Sequence, residues 1–130
     1  MGKKITFLGI ETSCDETAAA VIRENGNGTA DVLSNIVSSQ IEEHKKFGGV
    51  VPELAARAHL ENIEYIIDTA LKESKIAIED VDGIAATAGP GLIVCLTVGL
   101  NIGKSIAAFS NKPFVAVSYT HLTLPTILRV

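Results

Sequence analysis

"ITFLGIETSCDETAAAVIRENGNGTADVLSNIV", residues 5–37, is the stretch on which the fold turns. Ile5 to Ile10 reads as a buried strand, Ala18 to Ile22 as a second and Val32 to Val37 as a third, each a short apolar run bounded by polar residues. "ENGNG", residues 24–28, joins the last two, and its two Asn-Gly pairs supply the positive-φ positions of a hairpin. Parallel neighbours need a crossover of a dozen or more residues, so three strands with short links predict an antiparallel meander. The first link is unusual. Glu11, Thr12, Ser13, Cys14, Asp15, Glu16 and Thr17 put seven polar side chains between two apolar runs, more than a tight turn requires.

Past the meander the character changes. "HKKFGGVVPE", residues 44–53, is a loop broken by Gly48-Gly49, and Pro52 suits the first turn of a helix. From Glu53 to about Ser74, Leu54, Ala58, Ile63, Ile66, Ile67, Ala70 and Leu71 approximate helical spacing. Gly83 to Ala88 is a fourth strand, followed by "GPGL" and a small-residue helix to about Phe109. "NKP" then turns the chain into a last strand, Phe114 to Val117. A meander followed by βαβ units predicts an α/β domain with a mixed five-stranded sheet and helices on its faces.

The apolar share of 47 % against 20 % charged residues is that of a globular chain, and 130 residues fit one domain or a piece of something larger. Eleven Lys and Arg against fifteen Asp and Glu leave a net charge of -4, which provides no cationic footprint for phosphates. His44-Lys45-Lys46 is a short basic step that reads as a solvated loop. Two cysteines without framework spacing argue for a reducing compartment rather than a disulfide scaffold. "MGKKITFLG" lacks a small-residue cleavage pattern, and the apolar stretch from Leu92 to Ile102 is shorter than the roughly 20 residues of a bilayer span. A cytoplasmic protein with no signal peptide and no membrane association is expected.

Three chemistries compete for the polar link. A metal site needs converging ligands, and His44, His59 and His121 have no such spacing. A nucleophilic Cys14 needs an electropositive setting, but Asp15 and Glu16 beside it disfavour the thiolate. An anion cradle suits the residues better: backbone N–H groups and the Thr12, Ser13 and Thr17 hydroxyls can wrap a phosphate, while Glu11, Asp15 or Glu16 orients a cation, a water or an acceptor amine. A self-stabilised polar turn is the alternative. "TAGPGL", residues 87–92, adds a glycine-rich corner at a strand-to-helix junction, where helix N–H groups face an anion. "GLNIGKS", residues 99–105, has one residue too few for a phosphate-binding loop and falls inside the helix; "GPGLIV" lacks the third glycine of a dinucleotide fingerprint.

"LGIETSCDETAAAV", "FGGVVPELAARAH", "TAGPGL" and "VGLNIGKSIAAFSNKP" resemble, in this order and at these intervals, the tRNA N6-adenosine threonylcarbamoyltransferase family, over about Lys4 to about Val117. The resemblance implies an actin-like, sugar-kinase-like fold of two ribonuclease-H-type lobes, with residues 1–117 as the first lobe. It implies transfer of the threonylcarbamoyl group of threonylcarbamoyl-adenylate to N6 of the adenosine 3′ to the tRNA anticodon. By the same likeness Glu11, Asp15 and Glu16 are the catalytic candidates, with Glu16 or Glu11 orienting the acceptor. Thr12, Ser13, Cys14, Gly89, Pro90 and Gly91 line the nucleotide and acyl site. Glu53, Arg57 and His59 match a helix near the cleft and the tRNA or partner surface, an ordinary solvated helix face being the alternative. The implied partners are tRNA, a noncatalytic paralogue subunit and a small ATPase subunit; the implied cofactor is one divalent metal, iron or zinc.

The likeness breaks after Val117. Family members continue with His-x-Glu-Gly-His, whose histidines hold the metal, whereas here Tyr119 and Thr123 stand at those places and His121 is out of register. No metal ligand is therefore expected in this chain. "VSYTHLTLPT" is similar to the conceptual translation of sequencing-adapter DNA, so residues 118–130 are expected to be a non-native tail on a truncated, inactive fragment. Two other readings share the fold: a noncatalytic scaffold paralogue and an actin-like-fold sugar or acetate kinase. "CDET", "GGVVPE" and "GPGLIVCLTVG" side with the transferase.

Overall fold

The computed structural model describes residues 4–39 and 48–118. Three strands open the chain: β1 (Thr6–Glu11), β2 (Glu16–Glu24) and β3 (Ala30–Ser39). Helix α1 (Pro52–Ser74) follows, then β4 (Gly83–Gly89), α2 (Ile93–Ser110) and β5 (Phe114–Ser118). They build one five-stranded sheet in the order β3-β2-β1-β4-β5. The β1–β2 and β2–β3 pairs are antiparallel, and the β1–β4 and β4–β5 pairs parallel. The predicted mixed sheet is thus observed, strand for strand. A 3-10 turn at Ile78–Asp80, ahead of β4, has no counterpart in the sequence reading.

Register explains where the core sits. Leu8 pairs with Val21 on one side and Ile84 on the other; Ile10 pairs with Ala19 and Ala86. Side chains alternate faces along a strand, so these six share one face. All six are buried, together with Ile63, Ile66, Ile67 and Ala70 of α1 and Ala107 of α2. Leu8, Val21 and Ile84 are sealed at 0 % exposure, and each contributes about 1.5–3 kcal/mol by leaving water. Both helices pack on this same face and on each other, which narrows the expectation of helices on both faces. The opposite face is lined by Gly9, Glu11, Ala18, Ala20, Ala85 and Thr87 around a shallow depression of about 340 Å³.

Local chemistry fixes the ends. Pro52 starts α1, where its missing N–H costs nothing, and Lys75 at φ 62° ends it. Gly26 and Gly28 take φ 86° and 87° in the predicted hairpin, where the Asn25 N–H donates to the Thr29 carbonyl at 3.1 Å. Helix α2 has the length and mean hydropathy (1.5 over 18 residues) to cross a membrane by those criteria alone, a longer run than the stretch ending at Ile102 suggested. Its Cys95, Leu96, Gly99, Gly103 and Ala107 lie buried, and the helix packs against β4, β1 and β5.

Candidate functional site

β1 and β4 run side by side in the same direction, so their carboxyl ends emerge together, the place where open α/β sheets form ligand crevices. Glu11 closes β1 and Thr87 lies near the end of β4. The Glu11 carboxylate ties them: Oε2 accepts from the Thr87 hydroxyl at 3.0 Å, and Oε1 accepts the Ser13 N–H. The polar link is shorter than its composition suggested. β1 runs through Glu11 and β2 starts at Glu16, because Glu16 and Thr17 already pair with Ser39 and Ser38 of β3. Only residues 12–15 form the bend.

Each residue around the bend is anchored to a different element. The buried Thr12 hydroxyl donates to the Cys95 carbonyl of α2 at 2.7 Å and accepts the Gly99 N–H at 3.0 Å. The Ser13 carbonyl accepts the Leu92 N–H at 2.9 Å. The Cys14 carbonyl lies 2.9 Å from His59 Nε2 of α1, and Thr17 Oγ1 lies 2.7 Å from His59 Nδ1. Between Cys14 and Thr17 stand Asp15, half-buried, and Glu16, exposed. Neither of these two carboxylates has a hydrogen-bond or ion-pair partner among the described residues. The fold pins the backbone of the bend, and among the described residues the two acids have no partner.

The Gly-Pro-Gly corner meets the bend directly. A Cβ on Gly91 would lie 2.6 Å from the Ser13 carbonyl oxygen and 2.8 Å from its Cβ, so Gly91 permits contact between the two turns. Of the N–H groups expected to face an anion at this corner, that of Leu92 is taken by the Ser13 carbonyl. Gly89 borders open space, and its bond to Pro90 is cis.

Burial raises the Cys14 thiol pKa above its ordinary value, with the Asp15 and then the Glu11 charges adding to the rise and the Asp15 backbone N–H opposing it. Desolvation is the largest cause of that rise, and the second acid involved is Glu11 rather than the Glu16 named from the sequence. Cys95 is fully buried in α2 and its thiol is raised by burial first. No group of three or more His, Cys, Asp or Glu side chains among the described residues could hold a metal, so the described residues do not fit one. Tyr119, His121 and Thr123 lie outside the described residues, as does His44.

Glu53 and Arg57 are exposed on α1, but His59 is fully buried, which overturns the solvated-face alternative for that residue. Spacing contained the signal: His59 stands four residues from both Ala55 and Ile63, on the buried stripe of α1. Thr87, Cys95 and Gly99 also build the site without having been singled out as site residues, because strand pairing and the docking of α2 bring them to the bend; the Thr17 hydroxyl, expected to wrap a phosphate, meets His59 Nδ1.

The family model described as "TsaD: tRNA N6-adenosine threonylcarbamoyltransferase" matches residues 31–127. Among curated relatives, the tRNA N6-adenosine threonylcarbamoyltransferase of Pelagibacter ubique is 60 % identical over 119 residues, covering 92 % of this chain and 33 % of the relative. That of Rhizobium etli is 56 % identical over 113 residues, covering 87 % and 31 %. The chain therefore spans about a third of the length of the curated relatives it matches. Among solved structures, YeaZ from Pseudomonas aeruginosa superposes with a TM-score of 0.63 at 21 % identity, over 88 % of this chain and 43 % of that one. RuvC from Thermus thermophilus, in complex with a Holliday junction substrate, gives 0.56 at 14 % identity over 88 % and 66 %. These two likenesses concern the fold alone, and both fit the mixed five-stranded α/β sheet observed here.

Proposed function

The chain belongs to the TsaD family of tRNA N6-adenosine threonylcarbamoyltransferases, and on that premise we propose that it forms the first lobe of an enzyme that moves the threonylcarbamoyl group of threonylcarbamoyl-adenylate to N6 of the adenosine 3′ to the tRNA anticodon. One observation supports this most directly. The acidic bend and the glycine corner are built as a single unit, joined at Ser13–Leu92 (2.9 Å) and Glu11–Thr87 (3.0 Å), with Asp15 and Glu16 at its edge and without a partner among the described residues.

The donor is a mixed anhydride that is already activated, so the protein's task is positioning and charge stabilisation. The adenosine N6 amine attacks the carbamoyl carbon; a C–N bond forms, the bond from that carbon to the phosphate oxygen breaks, and AMP leaves with the electron pair. We assign Glu16 to orient the amine and accept its proton, with Asp15 beside it. Glu11, both oxygens engaged, braces the two strand ends. The family's divalent metal, iron or zinc, would be held by ligands outside the described residues, and no step is drawn through it. Partners are tRNA, a noncatalytic paralogue subunit and a small ATPase subunit, in the cytoplasm. A net charge of -4 means that most tRNA phosphates are met by other parts of the assembly.

A chimera tests the reading: residues 4–117 replace the corresponding segment of the Pelagibacter ubique relative. The chimera is expected to modify tRNA when given threonylcarbamoyl-adenylate. Glu16→Ala within it should lower the rate by about 100-fold or more, the scale of a lost general base, with its melting temperature unchanged. A folded chimera with no transfer beside an active parent would overturn the assignment.

A further inference from the structure

His59 touches both ends of the segment that carries Asp15 and Glu16. Its Nε2 lies 2.9 Å from the Cys14 carbonyl and its Nδ1 lies 2.7 Å from Thr17 Oγ1, so one ring spans residues 14 to 17. The ring is sealed at 0 % exposure. A carbonyl only accepts, so Nε2 carries a proton; a hydroxyl can donate, so a neutral ring satisfies both contacts without burying a net charge. We propose that His59, held as the neutral Nε2–H tautomer, is the positioning residue of the acidic bend, fixing the backbone on either side of Asp15 and Glu16 from the helix beneath. Its importance to transfer rests on the donor-site reading above; its grip on the bend does not.

The site's other anchors make this role separable from general stability. Thr12 and Ser13 are held by α2, so the near side of the bend stays docked when α1 lets go. Among the described residues the far side has, besides His59, the strand pairing of Glu16 and Thr17 with β3, at the end of β2 beyond its last partner in β1. Loss of the His59 contacts therefore frees Cys14 and Asp15 in particular. A backbone that wanders by an ångström there moves both carboxylates relative to any ligand on the glycine corner.

The test uses the full 130-residue chain, nitrogen-15 labelled, near neutral pH. In the wild type, one imidazole nitrogen, Nε2, should resonate as protonated and Nδ1 as unprotonated. Thr17→Val should shift Nδ1 and leave Nε2 protonated. His59→Leu fills the volume without polar atoms; it should move the amide resonances of Cys14, Asp15 and Glu16 and leave those of Leu8, Val21 and Ile84 in place. His59→Gln offers one N–H and one carbonyl and should return the bend resonances toward wild type. With AMP as probe, the Leu variant should bind about three- to tenfold more weakly, the worth of one net hydrogen bond, and the Gln variant should recover. A protonated Nδ1 with bare Nε2, unmoved bend resonances in the Leu variant, or a Gln variant no better than Leu would each overturn the assignment. If the Leu variant does not fold, the ring resonances of Thr17→Val and the bend resonances of His59→Gln decide by the same criteria. If AMP binds none of the proteins while the resonances behave as stated, the donor-site reading fails and the clamp stands.

Discussion

Thr12 shows how much one oxygen can settle. Its hydroxyl donates to Cys95 and accepts from Gly99, both in α2, from a fully buried position at the mouth of β1. Serine would keep those bonds and lose the methyl group; valine would keep the shape and lose both bonds to α2, the costlier loss. Cys14, two residues on, illustrates the opposite economy. Burial and two neighbouring carboxylates hold its thiol protonated beyond the ordinary range, so the reactive thiolate is scarce at neutral pH. Alkylation of Cys14 by iodoacetamide should therefore be slower than that of free cysteine and reach its plateau at higher pH. Asp15→Asn removes one raising charge and should speed the reaction near neutrality; an unchanged rate would leave the rise to burial and Glu11.

At the scale of elements, small residues let α2 approach the sheet. A Cβ on Gly99 would fall 2.6 Å from Thr12 Oγ1, and one on Gly103 would fall 2.7 Å from Phe114 Cε1. Alanine would ordinarily gain about 1 kcal/mol over glycine inside a helix. At Gly99 the sign reverses, because the oxygen it meets is held by two hydrogen bonds and cannot move aside. Gly99→Ala should destabilise the fold by about 1–3 kcal/mol, the usual cost of overpacking, measured by chemical denaturation. Adding Thr12→Ala should recover part of the loss, since the two positions share one contact. The same packing makes "GLNIGKS" a helix interior rather than a phosphate loop: its glycines face Thr12 and Phe114, not a ligand.

At the scale of the whole molecule, both helices cover one sheet face, and the other presents Gly9, Ala18, Ala20 and Ala85 around a shallow depression. The chain spans about a third of its curated relatives, and no metal-holding cluster occurs among the described residues. The purified 130-residue chain is accordingly expected to leave tRNA unmodified when given threonylcarbamoyl-adenylate. Mass spectrometry of the digested nucleosides checks this, and threonylcarbamoyladenosine above background would show that the segment suffices.

The order and type of the strands and helices could be read directly from the chain, because apolar period, Asn-Gly turns and Pro52 are local properties that act over a few residues. The acidic bend and the glycine corner were legible as composition. That they touch was not: the contact between Ser13 and Leu92 spans most of the domain in sequence and follows from the parallel pairing of β1 with β4. The same holds for His59, whose residue type suits a surface as well as a core until helix α1 is docked on the sheet. Local sequence determined which elements form, since propensity and patterning need no distant partner. Tertiary structure alone decided which carboxylates are tied and which have no partner among the described residues, since hydrogen bonds between β1, β4 and the two helices exist only after the layers have closed.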